Sequence, residues 1–150
     1  MVIAVDFDGT IVEHDYPKIG KPIPFALDVL KKLQKEGRHT LLLWTVREGS
    51  LLDEAVNYCS KNGVEFYAVN RNYPEEEAGD TSRKLVADVF IDDKNIGGLP
   101  DWSTIYKAIL SGSIYFQDID DYISDNNRPK VKKNLFTRLG EYWDAAQRYK

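Results

Sequence analysis

Asp6 and Asp8, one residue apart in Asp6-Phe7-Asp8-Gly9-Thr10, and the adjacent pair Asp92-Asp93 are the residues best suited to chemistry in this chain. Two close carboxylates can share a phosphoryl transfer. One attacks phosphorus and becomes an aspartyl-phosphate, while the other protonates the leaving oxygen and later activates water. Crowded carboxylates repel one another, and a divalent cation relieves that repulsion. An all-oxygen set drawn from Asp6, Asp8, Asp92 and Asp93 suits Mg²⁺. Thr45 offers a hydroxyl donor and Lys84 a positive charge to phosphoryl oxygens. Arg47 and the run Arg71-Asn72-Tyr73 fit either of two places, against the leaving group of a substrate or in a solvated loop.

The elements that must position these residues follow from the apolar pattern. Val2-Ile3-Ala4-Val5 stops at Asp6, and Thr40 to Trp44 stops at Thr45. Val64 to Val69 stops at Asn70-Arg71-Asn72-Tyr73-Pro74, and Val86 to Ile91 stops at Asp92. Their unbroken hydrophobicity suits strands buried on both faces. Ligands of an open parallel α/β sheet sit beyond the carboxyl ends of its strands, so residues at separate strand exits converge on one crevice. Phe25, Leu27, Val29, Leu30 and Leu33 recur at helical spacing, with Gly37 as a left-handed C-cap. Leu51 to Cys59, closed by Asn62-Gly63, and Trp102 to Leu110 read as two more helices, while Pro17, Gly20, Pro22 and Pro24 make Glu13 to Pro24 a loop or short hairpin. The alternation predicts an α/β fold with a doubly wound parallel sheet. A short strand over Ser113 to Phe116, a loop at Asp125 to Lys130 and an amphipathic helix over Leu135 to Tyr149 form a helical C-terminal extension. One domain is expected over residues 1–150, its core about 1–112 and the extension about 113–150.

The 150 residues, 43% hydrophobic and 12% aromatic, provide for one buried core. A net charge of -4 gives no overall positive field to attract nucleic acid or an anionic membrane. The basic run Arg128-Pro129-Lys130-Val131-Lys132-Lys133 lacks interleaved aromatics and reads as a solvated loop. Cys59 reads as a buried helix residue, and His14 and His39, without metal-ligand partners at useful spacing, read as structural. No apolar run approaches the ~18 residues of a membrane span. A cytoplasmic protein is expected.

The ordered set Asp6-Phe7-Asp8-Gly9-Thr10, Thr45, Lys84 and Asp92-Asp93 resembles the four motifs of the haloacid dehalogenase superfamily over residues 1–100. The resemblance implies that Asp6 is the nucleophile and Asp8 the general acid/base. It also implies that Thr45 and Lys84, the latter favoured by its position over Arg83 and Lys94, hold the phosphoryl group, and that Mg²⁺ is bound by Asp6, the main-chain carbonyl of Asp8 and the Asp92-Asp93 pair. Asp93 is the direct ligand by analogy with members that have a single aspartate there. An aspartate at position 8 is similar to the phosphatase and phosphotransferase branch. The gaps between motifs leave no room for a cap domain, which resembles the capless group, whose open sites act on large substrates or are covered by a neighbouring subunit. A Mg²⁺-dependent phosphatase acting on a phosphorylated substrate is the expected activity, with a homo-oligomer admitted by the open site. A phosphotransferase or mutase, or a phosphoryl-ligand or protein-binding module without turnover, are the alternatives.

Overall fold

Among the described residues, Val2–Val5 forms strand β1, an inner strand of a four-stranded, wholly parallel sheet. The structure, a computed structural model, describes residues 1–77 and 83–112. The strand expected at Ser113 to Phe116, the loop and basic run after it and the helix expected over Leu135 to Tyr149 lie outside the described residues. Thr40–Leu43 is β2, Ala68–Val69 is β3 and Val89–Ile91 is β4, in the spatial order β3-β2-β1-β4. Val5 pairs with Leu43 on one side and with Ile91 on the other, so three strands end level with one another. The ladder then runs on for one bond: Asp6 N–H donates to the Ile91 carbonyl (2.9 Å), Trp44 N–H to Val5 (2.9 Å) and Asn70 N–H to Leu43 (2.8 Å). These bonds fix where each chain leaves the sheet.

Helices α1 (Ala26–Lys35), α2 (Gly49–Lys61) and α3 (Trp102–Ser111) complete the described elements. Successive strand side chains point to opposite faces. Ile3, Val5, Leu41, Leu43 and Ile91 accordingly share one buried cluster with Leu30 and Leu33 of α1, Ala55 and Cys59 of α2, and Trp102 and Ile109 of α3. The opposite face carries Ala4, Leu42 and Ala68 against Leu85, with Trp44 and Phe90 partly buried beside them. The parallel α/β order is as expected. Among the described residues, however, the helices all pack on one face, and the second helical layer of a doubly wound sheet is not found there. No helix among the described residues is long and apolar enough to cross a membrane.

Three local expectations are corrected. β3 is confined to Ala68–Val69 rather than Val64 to Val69, because the Gln34 side chain takes up the backbone of Glu65, accepting from its N–H at 3.2 Å. β4 begins at Val89 rather than Val86, whose N–H is bound instead by Asn72 Oδ1 (2.6 Å). Gly37 is not the left-handed residue after α1; Arg38 is, at φ 50°. Gly37 is needed for space, since a Cβ there would lie 2.5 Å from the His39 ring.

The start of α3 shows how a single cap sets an element that later reaches the site. Asp101 accepts from the N–H groups of Ser103 (3.0 Å) and Thr104 (3.1 Å). Bonds from the Ser103 and Thr104 hydroxyls lead the interactions that hold its carboxyl down at about 2. Asp101→Ala should cost about 1 kcal/mol, the usual value of an N-cap, seen as a lower urea midpoint. The folded carboxyl is depressed below its ordinary 3.8. Its contribution is therefore complete above pH 3.8 and lost as pH falls through about 2, so the gap between the two proteins should close in that window.

Candidate active site

Beyond the carboxyl ends of β1, β2 and β4 the chain assembles two groups of charged side chains, both touched by the loop after β1. The first is acidic. Asp6, leaving β1, and Asp92 and Asp93, leaving β4, each offer a carboxylate oxygen within 4.8 Å of the others. The Thr10 hydroxyl ties the two strand exits together: it donates to Asp6 Oδ2 (3.2 Å) and accepts from Asp93 N–H (3.1 Å). Thr10 is itself fixed from below, because the buried indole of Trp102 in α3 donates to its carbonyl at 3.0 Å. Burial, reinforced by the neighbouring charges of Asp92 and Asp93, lifts the Asp6 carboxyl from 3.8 to about 6. Asp93 goes the other way. Burial would raise it, but bonds from Lys94 and His14 outweigh that and hold it below the usual carboxylate range.

Asp93 Oδ2 takes Lys94 Nζ (2.7 Å) and His14 Nε2 (3.0 Å), while Asp93 Oδ1 is buried with no hydrogen-bond partner among the described residues. Asp92 Oδ1 accepts from Lys94 N–H at 2.8 Å and closes the turn after β4. A buried orphan oxygen on one member of a three-carboxylate group fits a hard, oxygen-seeking divalent cation. The donor chemistry does not single out Mg²⁺ among such ions.

The second group is a buried ion pair. Arg47, expected as a contact to the leaving group, is 0% exposed. Its Nε donates to Asp8 Oδ2 and its Nη2 to Asp8 Oδ1, both at 2.7 Å. Further bonds run from Nη1 to the Pro17 carbonyl (3.0 Å) and from Nη2 to the Lys18 carbonyl (2.8 Å). The guanidinium also lies over the Phe7 ring at 5.0 Å and the Tyr16 ring at 5.3 Å. Its role is corrected accordingly: Arg47 positions Asp8 and the loop above it, and it has no surface left for a substrate. The Asp8 carboxylate is separated from the acidic cluster in the same stroke, so any metal contact from Asp8 falls to its main chain.

Thr45 stands at the exit of β2, nearly buried, with its backbone clamped by Asn70, which accepts from Thr45 N–H (2.8 Å) and donates to Thr45 O (2.9 Å). Asn70 does this from a left-handed backbone at φ 53°. Lys84, in the loop before β4, holds its ammonium 5.4 Å over the Phe90 ring. Lys94 is the cation placed against the acidic cluster, and its own basicity is raised, first by Asp93 and then by Asp6 and Asp92. Thr10 and Asn70 were not among the residues picked from the sequence for the site, and Lys94 stood there only behind Lys84. The Asp-x-Asp-Gly-Thr run carries a signal for Thr10, and Lys94 abuts the acidic pair, but nothing local marks Asn70.

His14, read as structural, instead reaches Asp93. The approach requires Gly9, whose φ is 90° and whose position would set a Cβ against the His14 ring and 2.6 Å from Asp93 Oδ2. Gly9→Ala should cost about 1–3 kcal/mol from the backbone alone. It should also drive His14 off Asp93, visible as a shifted imidazole resonance beside a lowered unfolding temperature.

No protein-family model matches the chain, and no curated protein does. Among solved structures, that of a conserved protein from Bacteroides thetaiotaomicron is 60% identical and superposes with a TM-score of 0.73. The match covers 79% of this chain and 96% of the other. With that identity over nearly the whole of the solved chain, the protein belongs to the same family as the conserved Bacteroides protein.

Proposed function

We propose that the protein is a Mg²⁺-dependent, cytoplasmic phosphatase of the haloacid dehalogenase type, without a cap, that hydrolyses a phosphomonoester through an aspartyl-phosphate on Asp6. The observation that carries this reading is the half-buried Asp6 carboxylate grouped with Asp92 and Asp93 at neighbouring parallel strand ends. The sheet order with β1 between β2 and β4 supports the doubly wound architecture of that superfamily.

Asp6, Asp92 and Asp93 would hold the cation, with Asp93 Oδ1 the oxygen most in need of it. When bound, Mg²⁺ supplies positive charge that offsets the crowded carboxylates and the phosphoryl oxygens. An Asp6 oxygen forms a bond to phosphorus as the bond from phosphorus to the leaving oxygen breaks, and the leaving oxygen takes a proton from Asp8. Water then attacks the same phosphorus, its proton passes to Asp8, and Asp6 departs with inorganic phosphate released. Thr45 orients the phosphoryl oxygens through its hydroxyl, and Lys84 adds charge. Both Asp8 oxygens accept from Arg47, so donation by Asp8 requires one of these bonds to open while the other keeps the carboxyl in place.

That pair also favours one alternative, a phosphoryl-ligand module in which Asp8 is locked and nothing turns over. Phosphate release from p-nitrophenyl phosphate separates the two. The phosphatase should release phosphate with Mg²⁺ and fall to background in excess chelator; phosphate binding without release at any metal concentration would favour the module.

A further inference from the structure

The loop after β1 touches both charged groups, and among the described residues one of its side chains keeps an exposed surface. His14 sits on Asp93, at the acidic end, and Pro17 and Lys18 give their carbonyls to Arg47, at the Asp8 end. Between these anchors is Tyr16. One face of its ring is backed by the Arg47 guanidinium at 5.3 Å, and the side chain is nonetheless 57% exposed. The loop is pinned at its base as well, by Glu13 N–H to the Lys21 carbonyl (2.8 Å) and Ile23 N–H to the Ile11 carbonyl (2.9 Å). An aromatic side chain held in this way has little ordering left to lose on meeting a ligand. The cation behind it draws electron density from the ring and improves its outer face for stacking. Val46, which follows Thr45 and is 83% exposed, adds an apolar surface next to Arg47.

From this we propose that Tyr16 is a specificity-determining stacking platform, and that the substrate is a phosphoester whose leaving group carries a planar aromatic ring. This rests on the reading of the site as a phosphoryl site, though not on turnover. Stacking between a base and an aromatic side chain corresponds to roughly 5- to 150-fold in affinity, which is the size of preference the ring should confer. Were Tyr16 only a cover for Arg47, its loss would weaken all ligands alike.

The test is calorimetric binding in the presence of Mg²⁺, comparing phenylphosphonate with ethylphosphonate, neither of which is hydrolysed. Wild type should prefer the aryl compound by about 10-fold. Tyr16→Leu should remove the preference, Tyr16→Phe should keep it and Tyr16→Trp should keep or enlarge it. Competition by adenosine 5′-monophosphate against ribose 5-phosphate tells a nucleobase from a one-ring aryl group. Equal binding of both phosphonates by wild type, or a preference that survives in Tyr16→Leu, overturns the proposal and leaves the phosphoryl site standing. Binding of neither phosphonate overturns the phosphoryl site and the platform with it. The Phe and Trp variants keep the cover over Arg47, so a fold lost only in Tyr16→Leu is recognised as such.

Discussion

Asp6→Asn should reduce phosphate release from p-nitrophenyl phosphate by at least ~10³-fold, the scale on which an enzyme loses its nucleophile. The amide keeps the size of the carboxylate and an oxygen that can accept from the Thr10 hydroxyl, so the link between β1 and β4 survives. It removes a charge that burial and the neighbouring Asp92 and Asp93 make unfavourable, as the rise to about 6 records. The variant should therefore unfold at the wild-type temperature or above it. Phosphate release and a thermal melt on one preparation check both halves. Wild-type turnover in the variant would remove Asp6 as the nucleophile, and lost turnover together with a collapsed melt would mark a structural role.

Arg47→Met should produce the largest loss of stability. The guanidinium and the Asp8 carboxylate are both nearly out of water, with side-chain exposures of 0% and 8%. Truncating one partner of such a pair typically costs about 3–5 kcal/mol, because the other charge is left buried and unpaired. For a chain of this size that lowers the unfolding temperature by roughly 6–20 °C. The carbonyls of Pro17 and Lys18 lose their donors in the same step. Arg47→Lys keeps the charge but not the planar fork, and should recover only part of the loss. Removing Asp8 as well, in Asp8→Asn with Arg47→Met, should restore a substantial share. A single variant that melts as wild type would show that the pair contributes no net stability.

The fold was legible where local pattern and tertiary demand agree. β1 spans the same four residues as the apolar run Val2 to Val5, and α2 and α3 lie where helical spacing put them. Pattern failed where side chains from other elements captured the backbone. Gln34 takes Glu65 and Asn72 takes Val86, so both runs are apolar enough for strands but join the ladder late. The acidic half of the site could be read because its three carboxylates follow strand ends directly. The Asp8 half could not. A buried arginine against two rings is a property of how residues 16–18 fold onto Arg47, and arginine in a sequence reads as a surface residue. The partner of His14, read as structural, was hidden for a similar reason: it lies 79 positions away, and Gly9 gives the ring room.

The brevity of β3 has a consequence for the protein's behaviour at high concentration. Two residues form that edge before Asn70 turns the chain away in a left-handed conformation. A free edge offers its open amides and carbonyls to any other extended chain, and the strength of that invitation grows with length. Among the described residues, another chain would find along β3 a row of only two residues to template on, a weak foothold for stacking copies edge to edge there.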